Sequence, residues 1–327
     1  MNTADRGDAR PVDALNGLPG DHAPGAALTP GQWRQMGLIT LAALLIFVGF
    51  RLLPTGTALS HMDFRVEAKN SIEFCDPLNP QFIPVVAVAS PVALTIRSGS
   101  ARAGQPVEAN VSLKTSSGKP IATNDLLVVH TRRLHLLIVD PSLTDYQHVH
   151  PEPTEIPGEW VFKFTPRNGG VYRIFADFTP AATSRGLYAM TDLKVESSRP
   201  QTTDTPGAEQ ASVAVNGHVF ALTAAEQPLR AKQTANLKFV VTRHDGGAVS
   251  LLPVMDAYAH LVAFDQLRSG FAHLHPMQSD PLQAPDPIRP ELDFKVTIPT
   301  AGRYVVWAQV NLAGQETFVP FWFDVVE

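Results

Sequence analysis

"HLLIVDPSLTDYQHVHP", residues 135–151, and "HLVAFDQLRSGFAHLHP", residues 260–276, are two versions of one seventeen-residue pattern. Each places His at its first, fourteenth and sixteenth positions, Asp at the sixth and Pro at the end. Two short runs flank a four-residue segment, "PSLT" or "QLRS", which reads as a hairpin turn. That pairing sets Asp140 opposite Asp145 and His135 opposite His150, and in the second copy His260 opposite His275. Strand side chains alternate between faces, so His148 shares a face with His150, and His273 with His275. Opposed Cβ atoms lie about 4.5–5.5 Å apart and diagonal ones about 7–8 Å, so each hairpin gathers three imidazoles on one patch.

Around the two hairpins the chain has the same β texture. "VALTIR", "VEANVSLK", "EWVFKF" and "VYRIFADF" alternate apolar and polar residues between turn signals, and "SVAVNGHVFAL", "ANLKFVVT", "LDFKVTIP" and "RYVVWAQV" repeat the series. Turn signals at roughly ten-residue spacing predict an all-β sandwich. Late in each copy a Gly precedes a Tyr (Tyr172, Tyr304), followed by an aromatic and Ala (Phe175-Ala176, Trp307-Ala308). A Tyr entering a late strand this way predicts a tyrosine corner, whose hydroxyl ties down the preceding crossover. The fold expected is two tandem Ig-like or cupredoxin-like β-sandwiches, over residues 91–196 and 212–327, joined by a Pro/Thr/Ser-rich linker over 197–211.

Upstream, residues 1–32 are rich in Gly, Pro, Ala and Asp without periodicity, a composition that predicts a disordered tail. Residues 33–54 carry a charge-free stretch from Met36 to Phe50, bounded by Arg34 and Arg51. A bilayer core asks for roughly 20 apolar residues, and snorkelling by Arg51 extends the stretch through Leu52 and Leu53. The reading is a transmembrane signal anchor with the N-terminus inside. The alternatives are a cleaved signal peptide, with "TALS" before His61 as the cleavage region, and a buried soluble helix. Residues 55–90 are left as a connector.

With 327 residues there is material for about two cores, and a formal net charge of −5 with no Lys/Arg block gives no footprint for nucleic acid. Cys75 is the single cysteine, so no intrachain disulfide forms. A lone thiol outside both repeats reads as a small apolar residue rather than a ligand.

Six of the eleven histidines fall in the two triplets, His135, His148 and His150, and His260, His273 and His275. Neutral imidazole suits copper, zinc, nickel and iron, and three imidazoles with an open position make a metal site. His130 and Met255 hold matching places five residues before each first His, and would need a bulge to join; Met277 is a further soft candidate. The opposing reading is that a duplicated domain keeps its packing histidines, each bonded to a carbonyl or an Asp. Asp140 and Asp265 read as hairpin-end turn residues, His61 and Met62 as linker, and His218 and His244 as surface residues.

With its "HL…HxHP" stretch and Gly-Tyr-aromatic-Ala strand, the chain resembles a group of bacterial exported β-sandwich proteins similar to cupredoxin-like and YtkA-like domains. The resemblance covers about residues 90–327. It implies copper binding in the periplasm or at the outer face of the membrane. A blue-copper electron-transfer site is excluded because neither repeat contains the Cys it needs. No further acid, base or nucleophile stands at informative spacing, so a three-His metalloenzyme is the lesser alternative. The function expected is a non-enzymatic, membrane-anchored copper-binding protein that passes its metal to an accepting protein, with zinc or another divalent metal as the alternative. A metal-free adhesion or scaffold module binding a protein partner is the rival.

Overall fold

The computed structural model describes residues 28–52, 59–65, 81–197, 208–278, 280 and 282–327. Cys75 and most of the expected linker and tail lie outside these residues.

One helix, Pro30–Leu52, occupies the N-terminal apolar segment and starts three residues before the expected Trp33. The sequence "TPGQ" explains the earlier start. Thr29 Oγ1 accepts the Gln32 N–H at 3.3 Å, and Gln32 Oε1 accepts the Thr29 N–H at 2.8 Å, a reciprocal cap with Pro30 at the first helical position. The helix is long and apolar enough to cross a membrane.

Two sandwiches of matching topology make up the β region. In the first, an outer sheet orders Val92–Ser98, Val107–Thr115, Glu159–Phe164 and Glu152–Pro153. Its inner sheet orders Ala101–Arg102, Leu187–Glu196, Gly170–Phe178, Leu134–Val139 and Tyr146–Val149. The second repeats the three longer outer strands as His218–Ala224, Thr234–Arg243 and Glu291–Thr297, with Ser212–Val215 added at the edge opposite to that of Glu152–Pro153. Inside lie Leu229–Arg230, Gln315–Val326, Gly302–Leu312, His260–Asp265 and Phe271–Leu274. All of these pairings are antiparallel except the two-residue strand that opens each inner sheet.

The expected tyrosine corners are present. Tyr172 Oη accepts the Asn168 N–H at 3.0 Å and donates to Asp145 Oδ2 at 2.6 Å, while Tyr304 Oη donates to the Thr300 carbonyl at 3.0 Å. Each tie reaches back four residues, across the turn that feeds the strand.

The hairpin strands are buried on both faces. Leu134, Leu136 and Ile138 enter the core of the first sandwich, while Leu137 and Val139 point the other way. They meet Val262 and Phe264 of the second sandwich in a third apolar cluster, with Leu143, Tyr146, Phe175, Phe271, Val305, Trp307 and Trp322. Burying side chains of this size is worth about 1.5–3 kcal/mol each. This second covered face explains why "LLIV" and "LVAF" are continuous apolar runs rather than alternating ones.

A segment within the expected connector crosses between the sandwiches. Phe82 N–H bonds the Thr297 carbonyl at 3.0 Å, and Ile83 exchanges both backbone bonds with Phe271 at 2.8 and 3.1 Å. The chain then enters the first sandwich at Val92. Gly270 is required under this strap, since a Cβ there would stand 1.8 Å from the Ile83 carbonyl oxygen.

Candidate metal centre

The hairpin registers follow the sequence pattern. Leu136 pairs with Val149 and Leu137 with His148, and Leu261 pairs with Leu274 and Val262 with His273, which sets His135 against His150 and His260 against His275. The expected turn role of Asp140 is borne out: its carboxylate accepts the Thr144 and Asp145 N–H groups at 2.9 and 3.0 Å. Asp265 likewise accepts the Ser269 N–H at 2.6 Å.

His135 and His148 share the face of Leu137 and Tyr146, and His260 and His273 that of Val262 and Phe271, so both triplets look into the seam between the sandwiches. Within each triplet one nitrogen per ring lies within 4.8 Å of the other two. The triplets also adjoin one another: the His148 and His273 ring centroids are 5.4 Å apart, and those of His135 and His273 6.0 Å.

Four of the six rings, His135, His148, His260 and His273, have a second partner that fixes the tautomer. His135 Nε2 lies 3.1 Å from the Val129 carbonyl, which only accepts, so Nε2 carries the proton and Nδ1 keeps its lone pair. Gln309 donates from Nε2 to Glu316 Oε2 at 3.1 Å, which leaves Gln309 Oε1 to accept from His148 Nδ1 at 2.9 Å. His148 Nε2 therefore also presents a lone pair. These two bare nitrogens, His135 Nδ1 and His148 Nε2, stand 3.2 Å apart. Two facing lone pairs do not form a hydrogen bond with each other; they are placed so that they could hold a cation between them. Two imidazoles held tetrahedrally at metal–nitrogen distances of about 2.0–2.1 Å are separated by about 3.3 Å.

The second triplet repeats the assignment. His260 Nε2 donates to the Val254 carbonyl at 2.9 Å, and His273 Nδ1 donates to Asp177 Oδ2 at 3.1 Å. His260 Nδ1, His273 Nε2, His275 Nε2 and, in the first triplet, His150 Nε2 are buried with no hydrogen-bond partner among the described residues. Both copies thus present Nδ1 from the first His and Nε2 from the middle one, with Nε2 of the last His buried and unpartnered among the described residues.

Burial holds these rings neutral. It pushes His150 down to about 3 and His260 to about 4, and drives His148, His273 and His275 well below the ordinary imidazole value, with neighbouring imidazoles adding to the effect. His135 is lowered by the same cause, partly offset by Asp177 and the Val129 carbonyl.

Three contributors escaped the hairpin pattern. Asp177 and Gln309 lie on strands outside the hairpins, at equivalent places, paired with His135 and His260. His130 joins without a bulge: it sits at φ 49° beside Thr131 at φ 65° in a two-residue turn closed by Val129 and Arg132. Met255 and Asp256 form the same turn in the second copy. His130 stacks on His275 of the other sandwich, ring centroids 3.8 Å apart. His244 is exposed and half-buried His218 bonds its Nδ1 to the Asn216 carbonyl. His61 and Met62 are exposed in a short 3-10 turn, and Met277 is 40% exposed.

A family model described as a domain of unknown function (DUF8832) matches residues 87–195 and again residues 213–327. No curated protein matches the chain. Among solved structures, the chain is similar to FdeC, an Escherichia coli adhesin, at 15% identity over 72% of this chain and 64% of that one, with a TM-score of 0.23. It is also similar to a DUF4785 family protein from Legionella pneumophila, at 10% identity over 72% and 56%, TM-score 0.22. Fibronectin(III)-like modules of CbhA from Clostridium thermocellum match at 11% identity over 71% and 93%, TM-score 0.18. The chain spans less than two thirds of the first two, and likeness of this order assigns neither ligand nor partner.

Proposed function

The chain belongs to the DUF8832 family, with one copy of the domain in each sandwich, and from that premise we propose that it is a membrane-anchored metal-binding protein. Its ligands are His135, His148 and His150 for one ion and His260, His273 and His275 for another. The observation that carries this reading is the pair of facing lone pairs on His135 and His148, 3.2 Å apart, together with four buried imidazole nitrogens that have no hydrogen-bond partner among the described residues. Leaving such atoms unpaired in a buried seam is costly, and one ion in each triplet compensates those of its own site.

The donor set favours copper, with zinc as the competing metal. All six ligands are imidazoles, and the carboxylates that a hard cation such as calcium requires are not in the ligand shell. Three imidazoles leave one coordination position open. His150, His273 and His275 are the half-buried ligands, and in this reading His150 and His275, the last of each triplet, lie where an ion passes from the seam to an accepting protein. Supporting an exported location is the Pro30–Leu52 helix, which holds the sandwiches at the periplasmic or extracellular face in this reading.

The test is the metal content of the untagged full chain, purified in detergent and equilibrated with copper or zinc. The native chain retains about two ions against a weak chelator, and the variant with all six histidines replaced by Gln retains none while staying folded. A six-Gln variant that holds as much metal as the native chain overturns the assignment.

A further inference from the structure

His148 and His273 are the middle ligands of their triplets, and each is oriented by the other sandwich. His148 Nδ1 bonds Gln309 of the second sandwich, and His273 Nδ1 bonds Asp177 of the first. The arrangement is crossed and pseudo-symmetric, since Asp177 and Gln309 pair with His135 and His260 in the two inner sheets. Its chemistry is not symmetric. One middle ligand leans on a carboxylate and the other on a neutral amide, whose own carboxylate partner, Glu316, stands one bond further away.

Resting on the reading of the triplets as metal ligands, we propose that the two sites are unequal and load in a fixed order, the His260, His273, His275 site before the His135, His148, His150 site. Asp177 is the positioning residue that sets this order. A carboxylate accepting the Nδ1 proton of an imidazole raises the donor strength of Nε2 and places a negative charge near the bound cation, with effects of about 10- to 100-fold in affinity. The amide of Gln309 fixes the His148 tautomer equally well but adds no charge. Adjacency sharpens the difference: the His148 and His273 rings are 5.4 Å apart, so an ion in one site repels a like ion entering the other across a seam of low dielectric. His130, stacked on His275, adds a further imidazole on the side of the second site.

The experiment is a Cu²⁺ titration of the full detergent-solubilised chain against a competing chelator, followed by electron paramagnetic resonance. Gln variants of each triplet assign each signal to its site. Two steps separated by about 10- to 100-fold are expected, with the His260 triplet filling first. Asp177→Asn should weaken that site and collapse the gap. Gln309→Glu combined with Glu316→Gln, which keeps the contact while reversing its donor, should strengthen the His135 site. A merely structural role for Asp177 moves neither the order of filling nor its transfer by the paired exchange. Equal steps, the opposite order, or a gap unaltered by Asp177→Asn overturn the inference while leaving the triplets as metal ligands. A native chain that binds no Cu²⁺ removes both.

Discussion

The imidazole of His130, carried by the first sandwich, lies flat against His275 of the second, ring centroids 3.8 Å apart and planes 24° from parallel. The contact crosses the seam and ties the turn before one hairpin to the last ligand of the other. His130→Ala should therefore weaken the site of His260, His273 and His275, by about 10-fold on the scale of contacts that orient a ligand. The triplet nearer in sequence should keep its affinity. Competition titrations in backgrounds lacking one triplet or the other measure this, and an effect confined to His135, His148 and His150 would show that the stack has no bearing on the second site.

Acid should separate the metal-free and metal-loaded chains. In the unfolded chain the histidines take protons near 6.5, whereas in the fold burial holds His150 at about 3 and His260 at about 4. Between those limits the unfolded state binds more protons, so the stability of the metal-free chain falls as pH drops from 6.5 toward 4. The same lowered values mean that protons compete poorly for the ligand nitrogens, so the loaded chain should hold its metal well below pH 6.5. Unfolding midpoints and retained metal across this range check both halves, and metal release centred near 6.5 would mean that the ligands are exposed, ordinary histidines.

The third apolar cluster makes the sandwiches depend on one another. Phe264 is fully buried there, its ring 5.4 Å from Tyr146 and 6.0 Å from Phe175. Phe264→Ala should cost about 3–5 kcal/mol in chemical denaturation, and it should lower metal affinity too, because the seam positions Gln309 and Asp177. A loss below about 1 kcal/mol would indicate that the sandwiches do not share this core.

Gly270 offers a narrower test of the strap. Gly270→Ala sets a methyl against the Ile83 carbonyl and should displace residues 81–87 from the second sandwich, at a cost of about 1–3 kcal/mol. Faster amide exchange at Ile83 and Phe271, whose backbone bonds join strap and sheet, is the specific readout. Unchanged exchange would mean that the strap is not held there.

Much of this was legible in the sequence because it is local. Hairpin register follows from turn length and the two-residue period, so His135 opposite His150 and His260 opposite His275 could be read from spacing alone. The repeated Gly-Tyr signals located both tyrosine corners. What was not legible depends on packing. Asp177 lies 29 residues from His148 and 96 from His273 in sequence, and no periodicity announces that it serves the more distant one. The turn at His130 and Thr131 uses two left-handed residues, neither of them Gly or Asn, so composition gave no sign of it. One signal was present and unused: the unbroken runs "LLIV" and "LVAF" mark strands covered on both sides, and hence a partner for the histidine face.

In the proposed function His135 Nδ1 and His148 Nε2, with His150, surround a metal ion, and the second triplet does the same. X-ray absorption at the copper edge of the fully loaded chain tests this most directly. About three nitrogen neighbours at about 2.0 Å with the outer-shell scattering of imidazole rings are expected, as is loss of that signature in the six-Gln variant. A bound ion without imidazole scattering, or a signature that survives removal of all six histidines, would contradict it.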